Sequence, residues 1–283
     1  MSRPPLFEFE RDRDGPVSRA RQLTQTAGVT HPPVDIERLA RMAGVKDIRL
    51  TDLDSAHACL IPHSAGHIIL VNRRSTHGRQ RFSIAHEIAH ILLRSSGMKF
   101  RRKGGAVSNT EERLCNLLAG ELLMPLDLFK RHARACDPSL DWIVELAKTF
   151  DTAIEAAAWR FGEVNSSGVE VICWERQGTS IVPRWIIGEE ITRSWSPPSS
   201  LVRSLDDTTF GPACAFATER LVVSHERPPD KENVVLRLES RRFARKDPRY
   251  VLTLVRYSGV AMKDRQANHA SAGTAEAGLE EAA

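Results

Sequence analysis

The amino-acid sequence predicts an α+β protein: a small antiparallel sheet carrying an apolar helix, then a bundle of short helices, then a second, sheet-rich domain. Three observations support this. Three short runs of β-branched or alternating character lie between residues 46 and 72, followed at 79–93 by RQRFSIAHEIAHILL, which is apolar around most of a helical circumference. Residues 126–164 hold three segments with apolar positions at helical spacing. Beyond 165 the chain turns to the strand-like runs VEVICWER, TSIVPRWII, ERLVVSHE, ENVVLRLES and RYVLTLVRY. The organisation that follows is a polar arm at 1–16, a first domain at 17–125, a helical bundle at 126–164, a sheet domain at 165–260 and a polar Ala/Gly/Glu-rich tail at 261–283.

Composition narrows the class. A hydrophobic fraction of 41% and a charged fraction of 27% are those of a folded, water-soluble protein, and 283 residues suffice for two domains. No run of eighteen apolar residues exists, so no membrane span is expected. MSRPPLFEFERDRDGP at the start mixes both charges with prolines and lacks an apolar signal core, so a cytoplasmic location is expected. Five widely spaced cysteines without a CxxC argue for free, mostly buried thiols and against a disulfide framework or a cysteine-based zinc module. A net charge of +4 is compatible with an acidic or nucleic-acid-bound partner without requiring one.

Residues 17–27 read as a helix closed by Gly28, a residue suited to the left-handed position after a helix end. In HPPVDIERLARMAGV, Ile36, Leu39, Ala40 and Ala43 recur at helical spacing and Gly44 closes the segment. About thirty residues precede this second helix, too few for a complete DNA-binding helix-turn-helix domain. Strands follow at 46–53, 56–62 and 66–72, the last two as a hairpin. The glycine-rich, basic stretch 95–109 is a loop, and its Arg101-Arg102-Lys103 cluster is either a solvated patch or a substrate contact. The helix at 111–124 ends before Pro125. Residues 165–168, NSSG, make a linker, and 197–207 is expected to hold a turn and a short helix.

The chemistry concentrates in His86-Glu87-x-x-His90. At about 100° per residue, positions i and i+4 lie on one helix face a turn apart, so His86 and His90 can direct two imidazoles at one point. That supplies two thirds of a zinc tripod. Glu87 lies one residue round the helix, placed to take a proton from water at the metal. A structural histidine pair is the competing reading. Three polar groups on a buried helix would then each need a partner, at about 1–3 kcal/mol for each one left without. A metal supplies that partner. Glu111, Glu112 and Glu121 are the acidic candidates for a third ligand. Glu112 and Asn116 share a face with Ala119 and Leu123, so Glu112 can point inward with Asn116 behind it. Ser108-x-x-Glu111 and Asn109-x-x-Glu112 also both fit a helix-start capping box, which leaves Glu111 and Glu112 close to even.

Together these stretches resemble the ImmA/IrrE family of metallopeptidases, whose pattern is a strand ending in Asn, then RxRFTxAHExxH, then ExxxNxxAxxLLMP. The chain supplies ILVN ending at Asn72, then Arg79, Arg81, Phe82 and Ala85 before the histidine motif, and Glu112, Asn116, Ala119 and LLMP ending at Pro125. Ser83 stands where threonine is commoner. The resemblance spans residues 32–125 and favours Glu112 over Glu111. It implies a small thermolysin-like, gluzincin-type domain with Zn²⁺ on His86, His90 and Glu112, manganese being the alternative metal in the cell. Cys115, three residues from Glu112, is read as a small buried side chain rather than a ligand. The resemblance also implies a helix-turn-helix-shaped bundle after Pro125 and a sensor-like, GAF-type C-terminal domain. Better-known members cleave a helix-turn-helix (XRE-type) repressor encoded nearby, derepressing mobile-element or DNA-damage genes.

The expected activity is therefore a zinc-dependent endopeptidase acting on a protein substrate, a transcriptional repressor, with Glu87 as the base that activates water. The alternative is a non-catalytic metal-binding regulator that binds a repressor or DNA. Direct DNA reading by the bundle is the weaker option, because Arg160 is the only basic residue between 151 and 164. No oxyanion donor can be assigned: the only tyrosines are Tyr250 and Tyr257, in the distal domain, and His67, His77 and His225 read as surface or structural.

Overall fold

A computed structural model of the chain describes residues 15–54, 56–95, 109–165, 168–188, 203–204, 210–218, 220–226, 234–243 and 250–260. The chain divides into two compact units, residues 1–137 with 141–160, and residues 138–140 with 161–283. Residues 1–14 of the arm, the Arg101-Arg102-Lys103 cluster and the C-terminal tail lie outside the described residues, while Gly15 and Pro16, expected in the arm, open the first helix.

The first unit begins with α1 (Pro16–Thr26) and α2 (Ile36–Met42), followed by strands β1 (Val45–Thr51), β2 (Ala58–His63) and β3 (Gly66–Asn72). Asp35 caps α2 by accepting from Arg38 N–H at 2.9 Å. The sheet order is β1-β3-β2. β2 and β3 form the expected hairpin, paired from Ala58↔Val71 to His63↔Gly66. β1 corrects the expectation of an all-antiparallel sheet, because it runs parallel to β3. The sequence of β3, GHIILVN, is apolar on both faces, and that strand takes the central place. The segment between β1 and β2 carries the chain past it to the far edge. At the hairpin turn, Gly66 has φ +139° and a Cβ there would stand 2.3 Å from Gly44 O, so no other residue fits.

The histidine-motif helix α3 (His77–Ser95) packs on α4 (Asn109–Leu123), on β2 and β3, and on α1 and α2. Ile84, Ala85, Ile88, Ala89 and Leu93 of α3 and Leu114, Leu118 and Leu122 of α4 are buried, as the apolar circumference requires. Its N-terminal end is anchored by Arg81, which donates to Val34 O at 2.6 Å and Asp151 O at 2.9 Å and pairs with the Asp151 carboxylate at 3.3 Å. His77 meets the same carboxylate at 3.0 Å. Gly78 admits the backbone of Thr152 and Ala153, which a Cβ would meet at 2.8–3.2 Å. Arg81 thus clamps the motif helix to two other segments of the unit.

α5 (Leu126–Ala133), α6 (Leu140–Thr149) and α7 (Ile154–Val164) follow as three helices, as expected. Arg160 of α7 is buried in an ion pair with Glu121 of α4 and donates to Met124 O at 2.8 and 3.0 Å. Glu121 also accepts from Arg21 at 3.1 Å and from Leu126 N–H at 3.2 Å. Burial alone would raise the Glu121 carboxyl, but Arg160 and then Arg21 hold it below the usual carboxylate range. The one basic residue of α7 is therefore spent inside the unit, and the helix has no cation to offer a phosphate backbone.

The second unit is built on a six-stranded sheet in the order β6-β5-β4-β9-β8-β7, all five neighbouring pairs antiparallel. Its strands are β4 (Val169–Gln177), β5 (Ser180–Gly188), β6 (Arg203–Ser204), β7 (Val222–Glu226), β8 (Val234–Arg241) and β9 (Tyr250–Val260). α8 (Gly211–Ala217) packs on β7, β8 and β9 over a core that includes Trp174, Phe210, Phe216, Leu238 and Val255. The five strand-like runs thus became β4, β5, β7, β8 and β9. Of the stretch expected to hold a turn and short helix, Arg203 and Ser204 are strand and the remainder lies outside the described residues.

Candidate metal centre

α3 and α4 meet at the centre of the first unit and bring five predicted or weighed residues together. The Nε2 atoms of His86 and His90 face one carboxylate, that of Glu112, at 3.3 and 3.7 Å. Their Nδ1 atoms are engaged behind. His86 Nδ1–H donates to Asn116 Oδ1 at 3.0 Å, and His90 Nδ1–H to Glu111 Oε1 at 3.3 Å. Each partner accepts, so each fixes the tautomer that leaves Nε2 with its lone pair toward Glu112. The two adjacent glutamates divide the work that the sequence left undecided. Glu112, half exposed, meets both Nε2 atoms, while Glu111, buried, meets His90 from the other edge.

Burial first, and the neighbouring His90 second, lower the His86 pKa, which keeps the imidazole in its neutral, ligand form at neutral pH. Glu87 is buried, and burial followed by the charge of Glu112 pushes its carboxyl up to about 7. That value suits a group which must take and return a proton near neutrality. In the metal-free protein the raised value has a defined sign. The folded state holds the Glu87 proton more tightly than the unfolded chain, so its contribution is complete below the ordinary pKa of 4.5 and is lost as pH rises through about 7. Glu87→Gln should therefore stabilise the chelator-treated protein at pH 8, by on the order of 2–3 kcal/mol, and scarcely at pH 5. Denaturant midpoints of the two metal-free proteins at both pH values measure it.

Cys115 also reaches the centre. It is fully buried, its sulfur lies 3.3 Å from His90 Nδ1, and one donor atom each from His86, His90 and Cys115 fall within 4.8 Å of one another. This His-His-Cys group and the His-His-Glu convergence share the imidazoles but use different surroundings. Burial, then Glu112, Glu111 and Glu87, push the Cys115 thiol far up, so it stays protonated without a metal. Its sulfur touches the nitrogen that Glu111 already engages. For the Glu112 set, a tetrahedral zinc with bonds of about 2.0–2.1 Å separates its ligands by roughly 3.3 Å, which the His86 contact to Glu112 Oε2 matches at 3.3 Å, while His90 meets the other carboxylate oxygen at 3.7 Å. Two neutral imidazoles and a carboxylate are also the donor chemistry that zinc takes at open sites.

The remaining predicted residues lie off the centre. Asn72 donates to Leu53 O at 2.7 Å and Ala56 O at 3.1 Å, tying the β1–β2 segment to the end of β3. Phe82 neighbours His86, ring centroids 6.4 Å apart, and the exposed Arg79 guanidinium lies 6.0 Å over Phe82. His57, which the sequence did not single out, sits beside Ser75 at 3.2 Å. Its pKa is lowered, by burial first and the Arg79 charge second. Only the tertiary fold brings it there; no motif carries it.

A helix bearing His-Glu-x-x-His, packed on a second helix whose carboxylate meets both imidazoles, is a donor arrangement of the kind that metallopeptidases use. Residues 40–161 match the IrrE N-terminal-like domain (Peptidase_M78), so this stretch of the chain is similar to the ImmA/IrrE metallopeptidases. The chain is 30% identical over 151 residues to the radiation response metalloprotease IrrE of Deinococcus deserti, covering 52% of this chain and 53% of that one. It is 28% identical over 153 residues to the protein of the same description from Deinococcus radiodurans, covering 52% and 45%. The chain thus matches about half the length of these relatives. A solved structure described as a Mycobacterium tuberculosis transcriptional regulator shares the fold, with a TM-score of 0.60 at 17% identity over 86% of this chain and 76% of that one. Among the described residues no helix is long and apolar enough to cross a membrane.

Proposed function

We propose that the chain is a zinc-dependent endopeptidase of gluzincin type, with His86, His90 and Glu112 as metal ligands and Glu87 as the catalytic base. The observation that carries this is the approach of both Nε2 atoms to one carboxylate, with Asn116 and Glu111 holding the opposite nitrogens. When bound, zinc supplies Lewis acidity, polarising the peptide carbonyl and lowering the pKa of a water. Glu87 takes the proton of the attacking water on its carboxylate and delivers it to the departing amine nitrogen as the C–N bond breaks. Asn116 and Glu111 keep the imidazoles oriented.

The substrate we propose is a helix-turn-helix repressor in the cytoplasm, whose cleavage releases stress-response or mobile-element genes. The support is the likeness to the two relatives described as radiation response metalloproteases. We assign the second unit, with its antiparallel sheet, a sensor-like, GAF-type role in restraining the peptidase, and the three helices after Pro125 a helix-turn-helix-like shape. The second reading is a regulator that holds metal and binds a repressor without cutting it. Glu87→Gln separates the two. It should keep metal and partner while cleavage falls by about 10²–10⁴-fold, followed by mass spectrometry of any helix-turn-helix repressor found encoded beside the gene. A variant that still cuts at the wild-type rate sinks the mechanism, and a wild type that binds but never cuts favours the second reading.

A further inference from the structure

The face of α3 that carries the histidine pair also carries an unexplained charge pattern. At about 100° per residue, Arg79, His86, His90 and Arg94 fall within a sector of roughly 80°, with the arginines at the two ends along the helix axis. Both arginines are exposed. Neither has a carboxylate at ion-pair distance among the described residues, whereas Arg21, Arg49 and Arg81 of the same unit each have one. Between them sit the acidic groups of the centre, Glu87 and Glu112. The sequence of charges along this face is therefore positive, negative, positive.

Helix stability explains only half of it. Arg94, in the last turn, complements the negative end of the helix dipole. Arg79 lies in the first turn, where a cation opposes the dipole, and no acidic residue of that turn offsets it. Each arginine is also coupled to the centre. Arg79 lies over Phe82, which neighbours the His86 ring. Arg94 is near enough to Glu87 and Cys115 for its charge to be felt at both.

We propose that Arg79 and Arg94 mark the two ends of the substrate-binding face and select a peptide segment that carries carboxylates on both sides of the cleaved bond. This rests on the peptidase reading above and adds the substrate's chemistry to it. Acidic side chains close to the bond would be repelled by Glu87 and Glu112, so the selected ones lie outward. At 1.5 Å per helical residue, Arg79 is about 13 Å and Arg94 about 9 Å from the midpoint of the histidine pair. An extended chain aligned with the helix covers those spans in about four and three residues. Arginine can then grip each carboxylate through two parallel N–H donors.

The test is cleavage of a synthetic random-peptide library by the zinc-loaded full chain, with products sequenced by mass spectrometry. The wild type should enrich Asp and Glu about three residues out on one side of the cut and four on the other. Arg79→Glu should replace the acidic preference on the far flank with Lys and Arg, and Arg94→Glu should do so on the opposite flank. On one selected peptide, Arg79→Gln should raise KM at least tenfold with kcat largely kept, and exchanging the peptide's acid for lysine should restore KM for Arg79→Glu. Bound zinc should be unchanged in all three variants. An identical cleavage profile in wild type and both Glu variants, or a wild-type profile without acidic enrichment, overturns the proposal and leaves the peptidase standing. No cleavage of any peptide by the wild type counts against the peptidase reading itself.

Discussion

Glu121→Ala is expected to destabilise the first unit by about 3–5 kcal/mol, a large share of the roughly 5–15 kcal/mol that holds a typical domain together. The substitution leaves Arg160, itself buried, with a positive charge and no carboxylate, and removes the acceptor used by Arg21 and Leu126 N–H. Arg160→Ala should cost a similar amount from the other side. The cause can be separated from lost packing. A double replacement by apolar residues of similar volume, Glu121→Met with Arg160→Leu, should recover most of the loss, because the penalty lies in an uncompensated buried charge. Denaturant unfolding of the metal-loaded protein measures all three variants. Because Arg160 and Arg21 hold the Glu121 pKa down, this contribution is present above the ordinary carboxylate pKa and fades as pH falls through the depressed value. A Glu121→Ala variant within 0.5 kcal/mol of wild type at pH 7 would contradict the account.

The second large effect concerns the metal. Glu112→Gln removes the carboxylate that faces both Nε2 atoms and should weaken zinc binding by more than the 10–100-fold that loss of an outer partner typically costs. Asn116→Ala, which only frees His86 to turn, should fall within that 10–100-fold range. Cys115→Ser should cost less than either. Competition against a chromophoric chelator ranks the three. The opposite order, with Cys115→Ser the most damaging, would move the centre to the His-His-Cys group.

What could be read from the sequence, and what could not, divides along one physical line. The pairings His86 with His90 and Glu112 with Asn116 are legible because each pair is four apart on one helix, which places both members on a face, whereas the preference for Glu112 over Glu111 came from the family resemblance. The assignment of Glu111 is not of that kind. Adjacent glutamates at a helix start look alike, and only the docking of α4 against both edges of the imidazoles gives them different partners. The parallel pairing of β1 was missed for a related reason. Periodicity reports which face of a strand is buried but not which neighbour it takes, and the doubly apolar β3 claims the middle. Arg81 and Arg160 were visible as charged residues on apolar helices, yet their partners Asp151 and Glu121 are 70 and 39 residues away. α8 went unpredicted because GPACAFA is short, opens with Gly-Pro and has no polar face to give it a period.

The claim beneath all of this is that one metal ion sits on His86, His90 and Glu112, with Cys115 outside its coordination. Zinc K-edge X-ray absorption of the loaded full chain tests it most directly. The account predicts a first shell of nitrogen and oxygen only, at about 2.0–2.1 Å, unchanged by Cys115→Ser. A sulfur scatterer at about 2.3 Å that disappears in Cys115→Ser would contradict it.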